Sequence, residues 1–330
     1  MTKLKWFLCT MPLVAIAILV IHVLPAYSFL PETTLVGGAP VGDHWGTLPI
    51  DWKINTSRSA IVVGATSVTT VITNSFASWT NIQNAAISVA AAGTSTISND
   101  QVPAGTNLVC FVCNGSSLNF TTDGTLALTV TGSSGGVITQ ANIFFNPSPG
   151  GVCFSTDAVD PATVQCPTTT DSAQNLQTVA THEIGHFFGL DHTGVVKGIM
   201  FPFAPPIETK LSFDDVAGIS ALYPAASPIV PTGSISGKVT LASSGAAVFG
   251  AHVAANSTTS ANAFSSFPNI RKSPIGTLTL PDGTYTIRGL PTDTYLLIAE
   301  PLNGPENASD VEWGTTFGHT LQTNFTSRWH

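Results

Sequence analysis

The stretch "THEIGHFFGLDHTGVVKGIMFP", residues 181–202, places three histidines and a glutamate in one short apolar run. On an α-helix, residues i and i+4 point in nearly the same direction, about 40° apart. His182 and His186 therefore project side by side, at a separation that suits two ligands of one metal ion. Glu183 lies on the same flank, where it can reach a metal-bound water without being a ligand, which is the position expected of a general base.

The third histidine needs a change of chain direction. If the helix continued, His192 would lie about 120° around the axis from His186 and could not share the metal. Gly189 resolves this, because glycine accepts a left-handed conformation and commonly follows a helix end. Three neutral imidazoles around an open fourth position are typical of a catalytic zinc site. We therefore predict one catalytic Zn²⁺ bound by His182, His186 and His192, with Glu183 as the general base.

The pattern H-E-x-x-H-x-x-G-x-x-H at 182–192, followed by "GIMFP" at 198–202, resembles the metzincin zinc peptidases, in which Met200 would occupy the Met-turn. Within that clan the sequence is most similar to the matrixins, because of Thr193 and the closing segment "LSFDDVAGISALYP" at 211–224. The resemblance implies an α+β fold, a twisted mixed sheet with three helices. Met200 would pack beneath the histidines, and Gly189 would support the site.

The same resemblance implies a secreted zinc-dependent endopeptidase that acts on protein or peptide substrates. The stretch "GTLALTV", residues 124–130, resembles the matrixin edge strand that pairs with substrate. Leu126 and Ala127 would then bind an extended substrate through their backbone, and Pro202 would also line the binding cleft. Two features of matrixins are missing: a cysteine-switch propeptide, and the histidine cluster of a second zinc site. One zinc ion is therefore expected, and no motif predicts calcium.

Two other functions fit parts of this sequence. The chain could be an extracellular adhesive or matrix-binding protein that uses the peptidase domain as a platform, although an inactive domain would be expected to have lost Glu183 or a histidine. It could also carry a structural zinc, but a closed site would need a fourth protein ligand, and no residue in the motif supplies one.

Composition and the N-terminal segment indicate which class of partner and which cellular compartment to expect. The chain has 11 Lys+Arg residues and a formal net charge of −8, without a basic stripe, so nucleic acid is not an expected partner. Residues 1–28 resemble a secretory signal peptide, with Lys3 and Lys5 before a long apolar run and a cleavage site after Ser28. An uncleaved membrane anchor is the alternative, because the apolar run is nearly long enough to span a bilayer. No other membrane contact is expected, and we expect a monomer.

Four cysteines remain beyond the signal segment, at 110, 113, 153 and 166. In an exported chain they favour disulfides over a zinc ribbon, which would need a second closely spaced pair. The sequence allows three connectivities. Our hypothesis pairs Cys153 with Cys166 and Cys110 with Cys113.

The spacing of apolar residues and the positions of capping residues predict the remaining secondary structure. Helices are expected at 67–82, at 171–188 with Asp171 as the N-cap, and at 212–223 with Ser212 as the N-cap. A strand is expected over 44–55.

We assign residues 29–224 to the peptidase domain and 225–232 to a Pro-rich linker. Residues 233–303 resemble a carboxypeptidase regulatory-like β-sandwich, an accessory module, and residues 304–330 remain an unassigned tail.

Overall fold

The computed structural model describes residues 29–118, 120, 124–168, 172–203, 205, 207–259, 262–305 and 307–329. The predicted signal segment, residues 1–28, and the predicted helix cap Asp171 lie outside the described residues. Within the described part of the chain, no helix combines the length and the apolar character needed to cross a membrane.

The first half of the chain forms a mixed sheet and smaller pairs of strands. Its strands are β1 Thr33–Val36, β2 Ala39–Gly42, β3 His44–Trp45, β4 Ile50–Asn55, β5 Val62–Val63, β6 Val89–Thr94, β7 Leu108–Cys110, β8 Ala127–Ser134, β9 Val137–Phe145, β10 Val152–Ser155, β11 Ser172–Asn175 and β12 Leu211–Ser212. In the main sheet β8, β9, β7, β4 and β6 are neighbours in that order, and β3 pairs with the start of β9. Among the described residues of this sheet, the β8–β9 pairing alone is antiparallel.

Three helices accompany this sheet: α1 Val68–Thr80, α2 Leu176–Phe187 and α3 Phe213–Leu222. The apolar residues of α1 recur at helical spacing, and its buried aromatic side chains pack against those of β4 and α2, as Phe76 does against Trp52 and Phe187. α2 in turn contacts β8. Helices and sheet together are consistent with the predicted α+β class.

Two local predictions need correction. The second helix begins at Leu176, because residues 172–175 pair in parallel with β10 and the Asn175 side chain accepts the Thr178 N–H as the N-cap. The predicted strand at 44–55 is two strands, β3 and β4. The predicted cap of the third helix is confirmed, because Ser212 with Asp215 forms a complete capping box on α3, and Ser67 caps α1.

The second half of the chain is built mainly from strands. They are β13 Thr232–Lys238, β14 His252–Ser257, β15 Ile270–Arg271, β16 Ile275–Leu278, β17 Thr284–Pro291, β18 Tyr295–Glu300 and β19 Arg328–Trp329, with the short helix α4 Trp313–Phe317 between the last two. β13 pairs with β17, and β16, β14, β18 and β19 form a four-stranded sheet. The C-terminal residues thus contribute a strand to this sheet.

The two halves share one apolar core. Val216 and Ala217 of α3 belong to the same buried cluster as Ile275 of β16 and Ile287 of β17. β12 also pairs in parallel with β15. The Pro-rich segment 225–232 is bonded to the first half of the chain. The Asn84 side chain donates to the carbonyl of buried Val230 and accepts its N–H.

Both hypothesised disulfides are present, Cys110–Cys113 and Cys153–Cys166. The first lies at the end of β7, and the second joins β10 to the segment that leads into α2. The first therefore tethers the loop that follows β7, and the second tethers the loop that follows β10.

Candidate active site

Three histidines converge at the C-terminal end of α2. The Nε2 atom of His182 lies 3.2 Å from Nε2 of His186 and 3.2 Å from Nε2 of His192. All three ligand atoms lie within 4.8 Å of one another. The structure therefore brings the three predicted metal ligands together around one point.

Backbone carbonyls set the orientation of each ring. The Nδ1 atom lies 2.7 Å from the Ile199 carbonyl in His182 and 2.7 Å from the Leu190 carbonyl in His186. In His192 it lies 2.5 Å from the Asp310 carbonyl. A carbonyl can only accept, so each Nδ1 must carry the proton and donate it. This tautomer leaves the lone pair of every Nε2 pointing into the cluster.

The turn at Gly189 supplies the third histidine. α2 ends at Phe187, and Gly189 adopts a φ of +92°, a left-handed conformation that favours glycine. The Gly189 N–H donates to the His186 carbonyl and the Leu190 N–H to the Gly185 carbonyl, the Schellman pattern of a helix C-terminus. The chain then reverses and brings His192 beside the other two rings, as the sequence predicted.

The donor set fits a zinc ion. Burial is the main cause that lowers the pKa of all three histidines, to about 3 in His182, so they remain neutral and able to bind a metal. Three lone pairs facing one another repel unless a cation lies between them. A spacing of 3.2 Å also matches the edge of a tetrahedron with zinc–nitrogen bonds of about 2.0–2.1 Å, which is about 3.4 Å.

Met200 packs against α2, the helix that carries His182 and His186. It is 2% exposed, and its Sδ lies so close to α2 that a Cβ on Gly185 would approach it to 2.1 Å. Asp215 holds the turn that carries Met200, because its carboxylate accepts the N–H groups of Ile199, Met200 and Ser212. Gly189 lies at the turn that leads to His192, and Met200 packs against the helix that carries His182 and His186; their supporting roles stay predictions.

Glu183 faces the cleft beside the histidines. Its carboxylate accepts a hydrogen bond of 2.6 Å from the Thr129 hydroxyl on β8. Burial raises the pKa of Glu183 to about 7, and the Thr129 bonds partly offset that rise. A carboxyl group with a pKa near neutrality can both take up and release a proton.

A cleft of about 800 Å³ contains the histidines, Glu183 and all three predicted substrate-binding residues, Leu126, Ala127 and Pro202. β8 forms one side of this cleft, and among the described strands it pairs only with β9. Since the Asn146 N–H donates to the Leu126 carbonyl, these two residues form a hydrogen-bonded pair. In an antiparallel ladder such pairs alternate, so the backbone of Ala127 faces the free edge, whereas the Leu126 carbonyl is already bonded.

Two residues of the site, Thr129 and Asp310, were not identified from the sequence. Thr129 stands two positions after Ala127, so strand alternation could have placed both on one face. Asp215, three residues after the predicted cap Ser212, takes part in the capping box of α3 and also holds the Met200 turn. Asp310 gives no sequence signal, because it lies 118 positions from His192 in the segment without a recognisable pattern.

Comparison with known proteins agrees with this geometry. Residues 115–224 match the family model described as Matrixin. The chain is 38% identical over 94 residues to Metalloendoproteinase 1 of Glycine max, and 47% identical over 53 residues to Metalloendoproteinase 1-MMP of Arabidopsis thaliana. It is 37% identical over 92 residues to Matrix metalloproteinase-26 of Homo sapiens.

These matches are partial. They cover 27%, 16% and 27% of this chain and 29%, 15% and 33% of the three relatives, respectively. The chain therefore spans a third or less of the length of each relative. The family match nevertheless includes the three histidines, Glu183 and Met200, and together the comparisons support a zinc metalloendopeptidase.

Proposed function

We propose that this protein is a zinc-dependent endopeptidase of the matrixin type. The observation that carries the proposal is the convergence of three Nε2 atoms, each freed by an Nδ1 bond to a carbonyl, beside a buried carboxyl group in an open cleft. His182, His186 and His192 would hold the zinc ion. When bound, that ion would polarise the scissile carbonyl and lower the pKa of a water molecule.

Glu183 would move the protons of the reaction. Its carboxylate lies in the cleft next to the histidines and would take a proton from the attacking water, then deliver it to the leaving amine. The Thr129 hydroxyl occupies one carboxylate oxygen and fixes the orientation of the group. The other oxygen remains for the water.

The substrate would bind as an extended strand along the free edge of β8, the mode known as β-augmentation. The direction of the Ala127 backbone supports its predicted role. The same alternation favours Thr129 as the next backbone contact, in place of the already bonded Leu126 carbonyl. Pro202, which follows the three histidines in the sequence and also lines the cleft, would contact substrate side chains.

We also propose that the protein is exported and that its C-terminal strands form a small β-sandwich. Two disulfides support an oxidising compartment. The pairing of β13 with β17 and the separate four-stranded sheet support two packed layers. Within the peptidase proposal this half of the chain is an accessory unit.

Two variants test the proposed roles. Glu183→Ala removes no metal ligand, so it should bind one zinc per chain as the parent does, while peptide cleavage falls by about 10²–10⁴-fold. His192→Ala removes one of three ligands, so zinc content and cleavage should fall together.

Zinc per chain is measured on purified protein, and cleavage on an unstructured peptide with and without a chelator. Near-normal turnover by Glu183→Ala, or full zinc content and activity in His192→Ala, would contradict these roles.

A further inference from the structure

A C-terminal segment, residues 307–317, lies against the third histidine. We call it the brace. Its Asp310 carbonyl accepts the His192 Nδ1–H at 2.5 Å, and its Glu312 N–H donates to Asp191 Oδ2 at 2.9 Å. The other oxygen of Asp191 accepts the His192 N–H at 2.7 Å. The brace thus bonds both the ring and, through Asp191, the backbone of this residue.

The brace is itself held in place. Its first turn is closed by two bonds between Asn307 and Asp310, of 2.7 and 2.9 Å. Next to this turn, Val311 and Trp313 are 5% and 1% exposed and belong to a separate apolar cluster that joins residues of the C-terminal half to Leu30. The Trp313 indole N–H donates to the Thr279 carbonyl. The position of the Asp310 carbonyl is therefore fixed by packing rather than by local chain geometry alone.

The Nδ1 partners of the other two histidines lie outside this half of the chain. His182 and His186 donate to carbonyls of residues 199 and 190, which lie within the matrixin-like segment. Among the three rings, only His192 has its Nδ1 partner beyond residue 224. A chain ending at that point would leave the His192 Nδ1–H without this acceptor.

We propose that the brace is a positioning element of the zinc site and also forms a wall of the substrate cleft. This inference rests on the proposed function, because it assigns the brace a role toward the same metal. The Asp310 carbonyl lies on the Nδ1 side of the ring, opposite the Nε2 atom that faces the metal, so the brace orients His192 without covering the metal. Ser309, Glu312 and Thr315 of the brace, all exposed, line the cleft beside the histidines.

The physical reason is ring orientation. An imidazole whose Nδ1–H is bonded is restricted in rotation and tautomer, and loss of such a partner typically reduces metal affinity by 10–100-fold. Here the accessory half of the chain supplies that partner. Its folding and zinc binding by the N-terminal half are therefore coupled.

A matched pair of variants at Glu312 tests the proposal in the full-length protein. Glu312→Pro removes the N–H that donates to Asp191 and so breaks the bond between the brace and the residue that holds the His192 backbone; proline is compatible with the φ of −77° at this position. Glu312→Ala keeps the N–H and removes only the exposed carboxylate. The readout is zinc affinity, measured by competition with a chelating dye.

We expect Glu312→Pro to bind zinc about tenfold more weakly than Glu312→Ala, because both variants lose the carboxylate and only the proline also loses the N–H. Equal affinity of the two variants would overturn the role of the brace while leaving the proposed peptidase function intact. A parent chain that binds zinc but cleaves no peptide would overturn the function and leave the brace in place. A parent that binds no zinc would overturn both.

A second pair covers the case in which the proline variant does not fold. Asp310→Ala and Asp310→Asn both remove a negative charge near His192, but asparagine keeps an oxygen that can accept the Asn307 N–H. We expect several-fold weaker zinc binding in Asp310→Ala than in Asp310→Asn. Identical binding would show that this turn does not position His192.

Discussion

Replacing Gly189 by alanine tests whether the turn after α2 creates the metal site. Two separate costs can be read from the structure. The φ of +92° is unfavourable for any residue with a Cβ, at about 1–2 kcal/mol. In addition, the new Cβ would lie 2.0 Å from the backbone oxygen of Asp43, which cannot rotate away. Forced displacement of well-packed atoms costs about 1–3 kcal/mol more, so the expected total loss is about 2–5 kcal/mol.

The chain offers a matched control for the first cost alone. Gly93, on β6, has a φ of +94°, and a Cβ there would meet no atom within 4 Å. Gly93→Ala should therefore lower the free energy of unfolding by about 1–2 kcal/mol and leave zinc binding unchanged. The difference between the two variants reports the contact with Asp43.

The assay is urea denaturation of the metal-free proteins followed by tryptophan fluorescence, together with zinc titration of the folded proteins. Gly189→Ala should be clearly less stable than Gly93→Ala and should bind zinc more weakly, because relief of the clash moves the turn that leads to His192. If Gly189→Ala is no more destabilised than Gly93→Ala and binds zinc like the parent, the turn does not define the site.

Three other predictions concern two carboxyl groups of α3 and the disulfide before α2. Asp215→Asn leaves one carboxamide oxygen for three backbone N–H groups, so it should destabilise the Met200 turn by about 1–3 kcal/mol in urea denaturation. Burial raises the pKa of Asp214 to about 8, which keeps its carboxyl group protonated at pH 7 and costs stability as the pH rises from about 4 to about 8. Asp214→Asn should therefore be tolerated at pH 7, and a loss as large as that of Asp215→Asn would contradict this reading. Replacing Cys153 and Cys166 together by serine opens a loop with a sequence separation of 13 and should cost about 3 kcal/mol, whereas no change in unfolding would show that the loop is restrained by other contacts.

Contacts between residues far apart in the sequence could not be predicted from the sequence alone. Glu183 is identifiable from its place beside His182, but the Thr129 hydroxyl that orients it comes from a strand 54 positions earlier. The start of α2 was misplaced for a similar reason. Residues 172–175 have a helix-compatible pattern, yet pairing with β10 satisfies their backbone groups as a strand, and Asn175 becomes the cap. In both cases a contact distant in sequence decided the outcome.

What the sequence alone determined is local. The spacing of His182 and His186 is fixed by helix geometry, and the reversal toward His192 by a glycine three residues after the second ligand, so all the information lies within one short segment. The tertiary structure decided the second partners of these groups: which carbonyl each Nδ1 meets, which edge of β8 remains free, and that the brace reaches His192. Those contacts depend on the packing of whole sheets and helices against one another, and no periodic pattern in a single segment records that packing.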